Sequence, residues 1–263
     1  MNFLPNLISG AKPEKQEIAP SVFHRPISSV EGPASPENCS RRGFLQTAAG
    51  GTVAGLLTAV GMGFAAPDSV QAQSTLSPAA ALQELMNGNQ RFTSGRLTAF
   101  DEDLGILKQN TAEKQEPFAA VLSCADSRVP VELVFDQSIG HIFVTRVAGN
   151  VVTSEIIASL EYGAAVLGTK VILVMGHGNC GAVKATIQAK EVPGQISALY
   201  PHIQPAVDQA GSNLEAATKA NAKIQAALLR EASTVVAGLV KEGKLKVVAG
   251  YYDVLSGSVT LLE

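Results

Sequence analysis

From residue 76 onward, apolar positions fall into two alternating rhythms. In LSPAAALQELMNGNQRF (76–92), Leu82, Leu85, Met86 and Phe92 recur at near-helical spacing, which predicts an amphipathic helix. Ser77 is its candidate N-cap and Pro78 takes the first helical position, where a missing N–H costs nothing. FAAVLSCA (118–125) is instead a continuous apolar run, as expected of a strand buried on both faces. HIFVTRVAGNVV (141–152) reads as a second strand and KVILVMG (170–176) as a third buried one. Between them TSEIIASLEYGAAVLG (153–168) reads as a helix, with Thr153 or Ser154 at its N-cap and Gly168 at its end. The Ala-rich stretch 183–241 is largely helical with a proline-punctuated break near 193–205, and KLKVVAGYYDVLSGSVTLLE (244–263) gives a fourth strand and a short closing hairpin turning at Ser256–Gly257.

Buried strands alternating with helices predict an α/β fold. The expected form is a parallel-centred four-stranded sheet flanked by helices, with a short C-terminal antiparallel strand and an N-terminal helical arm. Ligands of such sheets bind at the carboxyl ends of the strands, where Cys124 and His177 both fall.

The first 72 residues follow neither rhythm. Residues 1–40 are rich in Pro, Ser and Glu; SRRGFLQ (40–46) then precedes a weakly hydrophobic Gly- and Ala-rich stretch ending in SVQAQ. Positive charge, apolar stretch and small-residue site in that order predict an export signal cut after Ala72, and Arg41–Arg42 with Phe44 and Leu45 behind them resemble a twin-arginine signal. A retained membrane anchor is the alternative. The expected organisation is a leader over 1–72 and one domain over 73–263, exported to a periplasm, or to a thylakoid lumen in a photosynthetic organism, with membrane contact only if the signal is uncleaved.

Composition narrows the choice little further. The 263 residues are 46% hydrophobic and 16% charged with a net charge of -3, which suits a globular core and leaves no basic run for nucleic acid. Cleavage would remove Cys39 and leave Cys124 and Cys180, a pair that in an exported protein ordinarily suggests a disulfide.

The residues around that pair argue otherwise. His177 and Cys180 lie three apart in a glycine-rich turn, and Cys124 lies at the end of another buried strand. Two sulfurs and one nitrogen select Zn²⁺ over Mg²⁺ or Ca²⁺, and three protein ligands leave the open position of a catalytic zinc. If 124–128 stays extended, Cys124, Asp126 and Arg128 share one face. Asp126 could then orient a zinc-bound hydroxide, while Arg128 keeps that carboxylate from becoming a fourth ligand through a bidentate pair. The arrangement suits attack on a small electrophile.

SCADSRVP (123–130) and GHGNCGAVKA (176–185), with FVTRVAGNVV (143–152) and SLEYGAAVLG (159–168) between them, resemble the β-class carbonic anhydrases over essentially all of 75–263. The resemblance implies one Zn²⁺ per subunit on Cys124, His177 and Cys180, an Asp126–Arg128 dyad, and reversible hydration of CO₂ to bicarbonate and a proton. It also implies a plant-like open subclass, because Gln115, Phe143 and Tyr162 stand at its substrate-pocket offsets and Val121 stands where the bicarbonate-regulated subclass carries Trp. In that reading Gln115 hydrogen-bonds substrate, Phe143 gives an apolar wall, and Gly181 offers a backbone N–H to bicarbonate. Ala148 replaces a common Val in the pocket wall. A homodimer or higher homo-oligomer follows, with Gln and Tyr reaching a neighbour's site and the 76–92 helix as the arm across the interface. Carbon disulfide or carbonyl sulfide hydrolysis on the same scaffold, or an inactive zinc-binding scaffold, are the alternatives. His141 and His202 are candidate proton shuttles, although a surface histidine is more often only that; Tyr251 and Tyr252 read as strand core and Lys184 as solvated.

Overall fold

A computed structural model describes residues 74–99 and 104–263; the export signal, Arg41–Arg42 and Cys39 lie outside the described residues. Five strands form one sheet: β1 (Ala119–Ser123), β2 (Ile142–Arg146), β3 (Val171–His177), β4 (Lys246–Tyr252) and β5 (Val259–Leu262). Their order is β2-β1-β3-β4-β5. The first four are mutually parallel and β5 is antiparallel to β4, so the α/β sheet read from the sequence is the one observed. Around it lie α1 (Pro78–Thr93), α2 (Leu104–Thr111), α3 (Val131–Val134), α4 (Ser154–Glu161), α5 (Gly181–Gln188), α6 (Tyr200–Ala210), α7 (Leu214–Ala232) and α8 (Thr234–Lys241).

The unbroken apolar runs of β1 and β3 follow from burial on both faces. Alternate residues point to opposite sides: Val121, Leu173 and Met175 join Leu85 of α1 and Phe135, while Leu122, Ile172 and Val174 join Leu160, Ala222 and Leu229. Each such side chain contributes about 1.5–3 kcal/mol relative to exposure. Tyr251 and Tyr252 are buried as expected.

Ser77 caps α1, its hydroxyl accepting from Ala80 N–H at 3.2 Å; such a cap is worth about 1 kcal/mol. α1 buries Ala81, Leu82 and Leu85 in its own chain's core and leaves most of its other positions exposed or half-buried. Its approach to α3 is close: a Cβ on Gly88 would stand 1.8 Å from the Phe135 carbonyl oxygen.

Three boundaries differ from the sequence reading. β2 ends at Arg146, not 152, because the chain turns through a 3₁₀ segment at Ala148–Asn150 with Gly149 at φ +76°. The helix from Ser154 widens into a π turn at Tyr162–Val166. The helical region after 183 is four helices, and the proline break is shorter than expected: α6 starts at Tyr200, takes Pro201 in its first turn and contains Pro205. Among the described residues no helix is long and apolar enough to cross a membrane.

Candidate metal centre

The parallel sheet brings two candidate ligands close together, since β1 and β3 are neighbours whose ends lie within two residues of each other in register. His177 is the last residue of β3, and Cys124 follows the last residue of β1. After His177 the chain turns through Gly178 and Asn179, the latter at φ +56°, and returns Cys180 as the N-cap of α5. The Sγ atoms and imidazole nitrogen of Cys124, Cys180 and His177 lie within 4.8 Å of one another, all three residues buried. Both cysteines are free thiols. A tetrahedral zinc with Zn–S of about 2.3 Å needs ligand atoms ~3.8 Å apart, a spacing this cluster reaches with small side-chain adjustments.

Two observations favour a metal over simple packing. His177 Nδ1 faces the Gly178 carbonyl oxygen at 3.0 Å, while Nε2 is buried without a partner. With Nδ1–H donating to that carbonyl, Nε2 keeps its lone pair for a cation, the usual arrangement of a metal-bound histidine. The thiols are also set for ligation. A hydrogen bond from Cys180, then the His177 ring and the Gly149 N–H, hold the Cys124 thiol well below its ordinary pKa against the cost of burial. That same hydrogen bond to Cys124, together with burial, pushes Cys180 up. A divalent cation binding there would displace the thiol protons.

Beyond Cys124 the chain is not extended, as the sequence reading required for a shared face. It turns instead, Val129 N–H donating to Asp126 O at 3.1 Å. The turn still produces the expected pair: Arg128 Nε donates to Asp126 Oδ1 at 2.9 Å and Nη2 to Oδ2 at 2.8 Å. Asp126 Oδ2 lies 3.8 Å from His177 Nε2, at the rim of the cluster. The Arg128 guanidinium, chief among the causes, holds the Asp126 carboxyl far below its usual range. Arg128 Nη2 also donates to Asn179 O at 3.2 Å, tying together the loops that carry Cys124 and the His177–Cys180 turn. Gly181 opens α5 beside Cys180 with open space around it.

Sequence reasoning passed over Arg146, which donates to Cys124 O and Asp126 O and so clamps the turn between them. It also passed over Asn221 and Gln225 of α7, which bind the 149–152 backbone. Nothing local marks these residues, because their partners are main-chain atoms far away in sequence.

Gln115, Phe143 and Tyr162 are not at this cluster. Phe143 pairs with Ala120 in the β1–β2 register, four residues and ~13 Å along the strand from Cys124 at about 3.3 Å per residue. Its ring lies 6.2 Å from that of Tyr162, and Tyr162 and Gln115 line a surface hollow with Lys114, Glu116, Ile139 and Ile142. Tyr162 is 46% exposed. His141 lies beyond even that level, its carbonyl accepting from Phe118 N–H, at the end of the sheet opposite the cysteines. Lys184 is exposed, as expected.

A family model described as carbonic anhydrase matches residues 119–259. The carbonic anhydrase of Mycolicibacterium smegmatis is 34% identical over 194 residues, 70% of this chain and 93% of that protein. Carbonic anhydrase 2 of Mycobacterium tuberculosis is 32% identical over 199 residues, covering 71% and 94%. Among solved structures, the Coccomyxa β-carbonic anhydrase in complex with acetazolamide superposes with a TM-score of 0.55 at 26% identity over 69% of this chain and 86% of that one. A tetrameric β-carbonic anhydrase of Sordaria macrospora shares the fold, with a TM-score of 0.54 at 19% identity over 69% of this chain and 96% of that one. The chain belongs to the carbonic anhydrase family, in its β class, and is a carbonic anhydrase enzyme.

Proposed function

We propose that the chain hydrates CO₂ reversibly at one zinc ion held by Cys124, His177 and Cys180, with Asp126 and Arg128 as the dyad that orients the attacking water. The observation that carries this reading is the buried cluster of two thiols and an imidazole nitrogen without a hydrogen-bond partner, beside a carboxylate that Arg128 holds by both oxygens. A bound zinc ion supplies Lewis acidity and makes water acidic near neutral pH.

Asp126 accepts a hydrogen bond from the attacking water and turns its lone pair toward the carbon of CO₂. The new C–O bond gives bicarbonate, and the water's proton leaves to solvent or buffer. Arg128 bonds to both carboxylate oxygens, so Asp126 would orient the water and leave the holding of a bound ion to Cys124, His177 and Cys180. The Gly181 N–H, among the first-turn donors a helix leaves unpaired, serves a bicarbonate oxygen.

Gln115, Phe143 and Tyr162 act on the site of a second copy, consistent with their distance from the chain's own cluster and with the exposure of Tyr162. The working unit is therefore a homodimer or a larger homo-oligomer. Residues 1–72 direct export to an extracytoplasmic compartment, and the twin-arginine route would carry the domain folded with its thiols already on zinc. N-terminal sequencing of exported protein should begin at Gln73, and the mature protein should hold Cys124 and Cys180 as thiols; a disulfide between them would overturn the zinc-first order.

The test is zinc removal. The full chain, stripped with a chelator, should lose CO₂ hydration in stopped flow and regain it with one equivalent of zinc per subunit. Cys180→Ser should regain none. Activity indifferent to zinc would refute the reading.

A further inference from the structure

The turn that follows β2 reaches the cluster through its backbone: Gly149 N–H donates to Cys124 Sγ at 3.3 Å. The turn is held from behind by two amides of α7. Asn221 Nδ2 donates to Gly149 O at 2.8 Å, and Gln225 Oε1 accepts from Val152 N–H at 2.7 Å. Gln225 Nε2 bridges to His202 O at 2.9 Å and to Asn221 Oδ1 at 3.3 Å. Every polar atom of both side chains is thereby engaged, and the two residues are 0% and 1% exposed.

Two amides buried on a helix cost stability unless paired, and apolar residues would fill the same volume more cheaply. Apart from each other and His202 O, their partners are backbone atoms of the turn, 72 and 73 residues away. Thr218, one turn earlier and equally buried, bonds only to Leu214 O of its own helix. The turn is closely packed at a glycine: Gly149 is at φ +76°, and a Cβ there would stand 2.8 Å from Ile203 Cδ1 and 3.3 Å from Ala182 Cβ.

We infer that Asn221 and Gln225 are positioning residues of the metal centre, holding the 149–152 backbone so that the Gly149 N–H stays on the Cys124 sulfur. The inference rests on the zinc reading above. An N–H on a ligating sulfur fixes its orientation and tempers its charge, and loss of such outer partners weakens metal affinity by about 10–100-fold.

The experiment measures zinc affinity by chelator competition, and the sulfur-to-metal charge-transfer band of cobalt-substituted protein, in the full chain well below each variant's melting temperature. Asn221→Ala and Gln225→Ala should each weaken zinc binding by about 10-fold or more and shift the cobalt band. Ala226→Gly, in the same helix but packed on the sheet, should lower the melting temperature and leave both readouts at wild-type values. If Asn221→Ala does not fold, Asn221→Ser is read in its place. Wild-type affinity and an unmoved band in the amide variants would overturn the inference, as would an equal loss in Ala226→Gly. A wild-type chain that takes up no zinc would instead sink the zinc reading, and the inference with it.

Discussion

Arg128 holds both carboxylate oxygens of Asp126, Nε to Oδ1 at 2.9 Å and Nη2 to Oδ2 at 2.8 Å, with the Arg128 backbone N–H adding a third bond to Oδ1 at 3.0 Å. A carboxylate 3.8 Å from a ligand nitrogen would be drawn onto a dication. The guanidinium would oppose that, and it favours the ionised form of Asp126. Arg128→Ala should therefore lower kcat/KM by about 10²–10³-fold, as loss of a preorganised polar group does, with zinc still bound. Arg128→Lys should recover only part, since one ammonium cannot span both oxygens. Stopped-flow rates paired with zinc content per subunit decide this.

The same pair makes stability depend on pH. Asp126 is depressed below its ordinary value of 3.8, first by the Arg128 side-chain hydrogen bonds. A depressed acid stabilises the folded state above its unfolded pKa, and that contribution fades as pH falls below about 4 toward the folded value. The denaturant midpoint of zinc-free wild type should exceed that of Asp126→Asn by a constant amount between about pH 5 and 8, and the gap should close below about pH 4. A gap that widens toward acid would contradict the depressed pKa.

Gln115 and Cys180 should complement each other between subunits. Gln115→Ala and Cys180→Ser homodimers should both be impaired. In mixed dimers one site collects both defects and the other has neither, so co-expression should restore activity. If Gln115 served its own chain, every mixed site would carry one defect and no rescue would appear. Activity of tagged, purified hybrids measures it.

Gly88→Ala puts a methyl 1.8 Å from the Phe135 carbonyl oxygen, where backbone, not a flexible side chain, must move. Overpacking of this kind costs about 1–3 kcal/mol, and the upper end is expected here. Urea denaturation should show a lower midpoint, with zinc affinity at wild-type strength because the clash lies between α1 and α3, away from the cysteines.

The sheet was legible because KVILVMG and FAAVLSCA can only be strands buried on both sides, and their ends place His177 and Cys124 together. Ser77 announced its cap. The end of β2 was not legible: apolar Val147, Val151 and Val152 continue the strand pattern, while Gly149 breaks it through a backbone angle that no side chain signals. The dyad emerged by a turn where an extended segment was expected, because two-residue spacing permits both. That Gln115 and Tyr162 reach a neighbour's site is an expectation the family resemblance supplies; their spacing along the chain carries no such information. Arg146, Asn221 and Gln225 stayed hidden since they bind carbonyls and N–H groups, which every residue has.

The central claim is that Asp126 orients water at an open zinc position on Cys124, His177 and Cys180. Stopped-flow CO₂ hydration by Asp126→Ala carrying a full zinc load tests it most directly. The account predicts retained zinc and a kcat/KM lower by about 10²-fold or more. Wild-type turnover by that variant would contradict it.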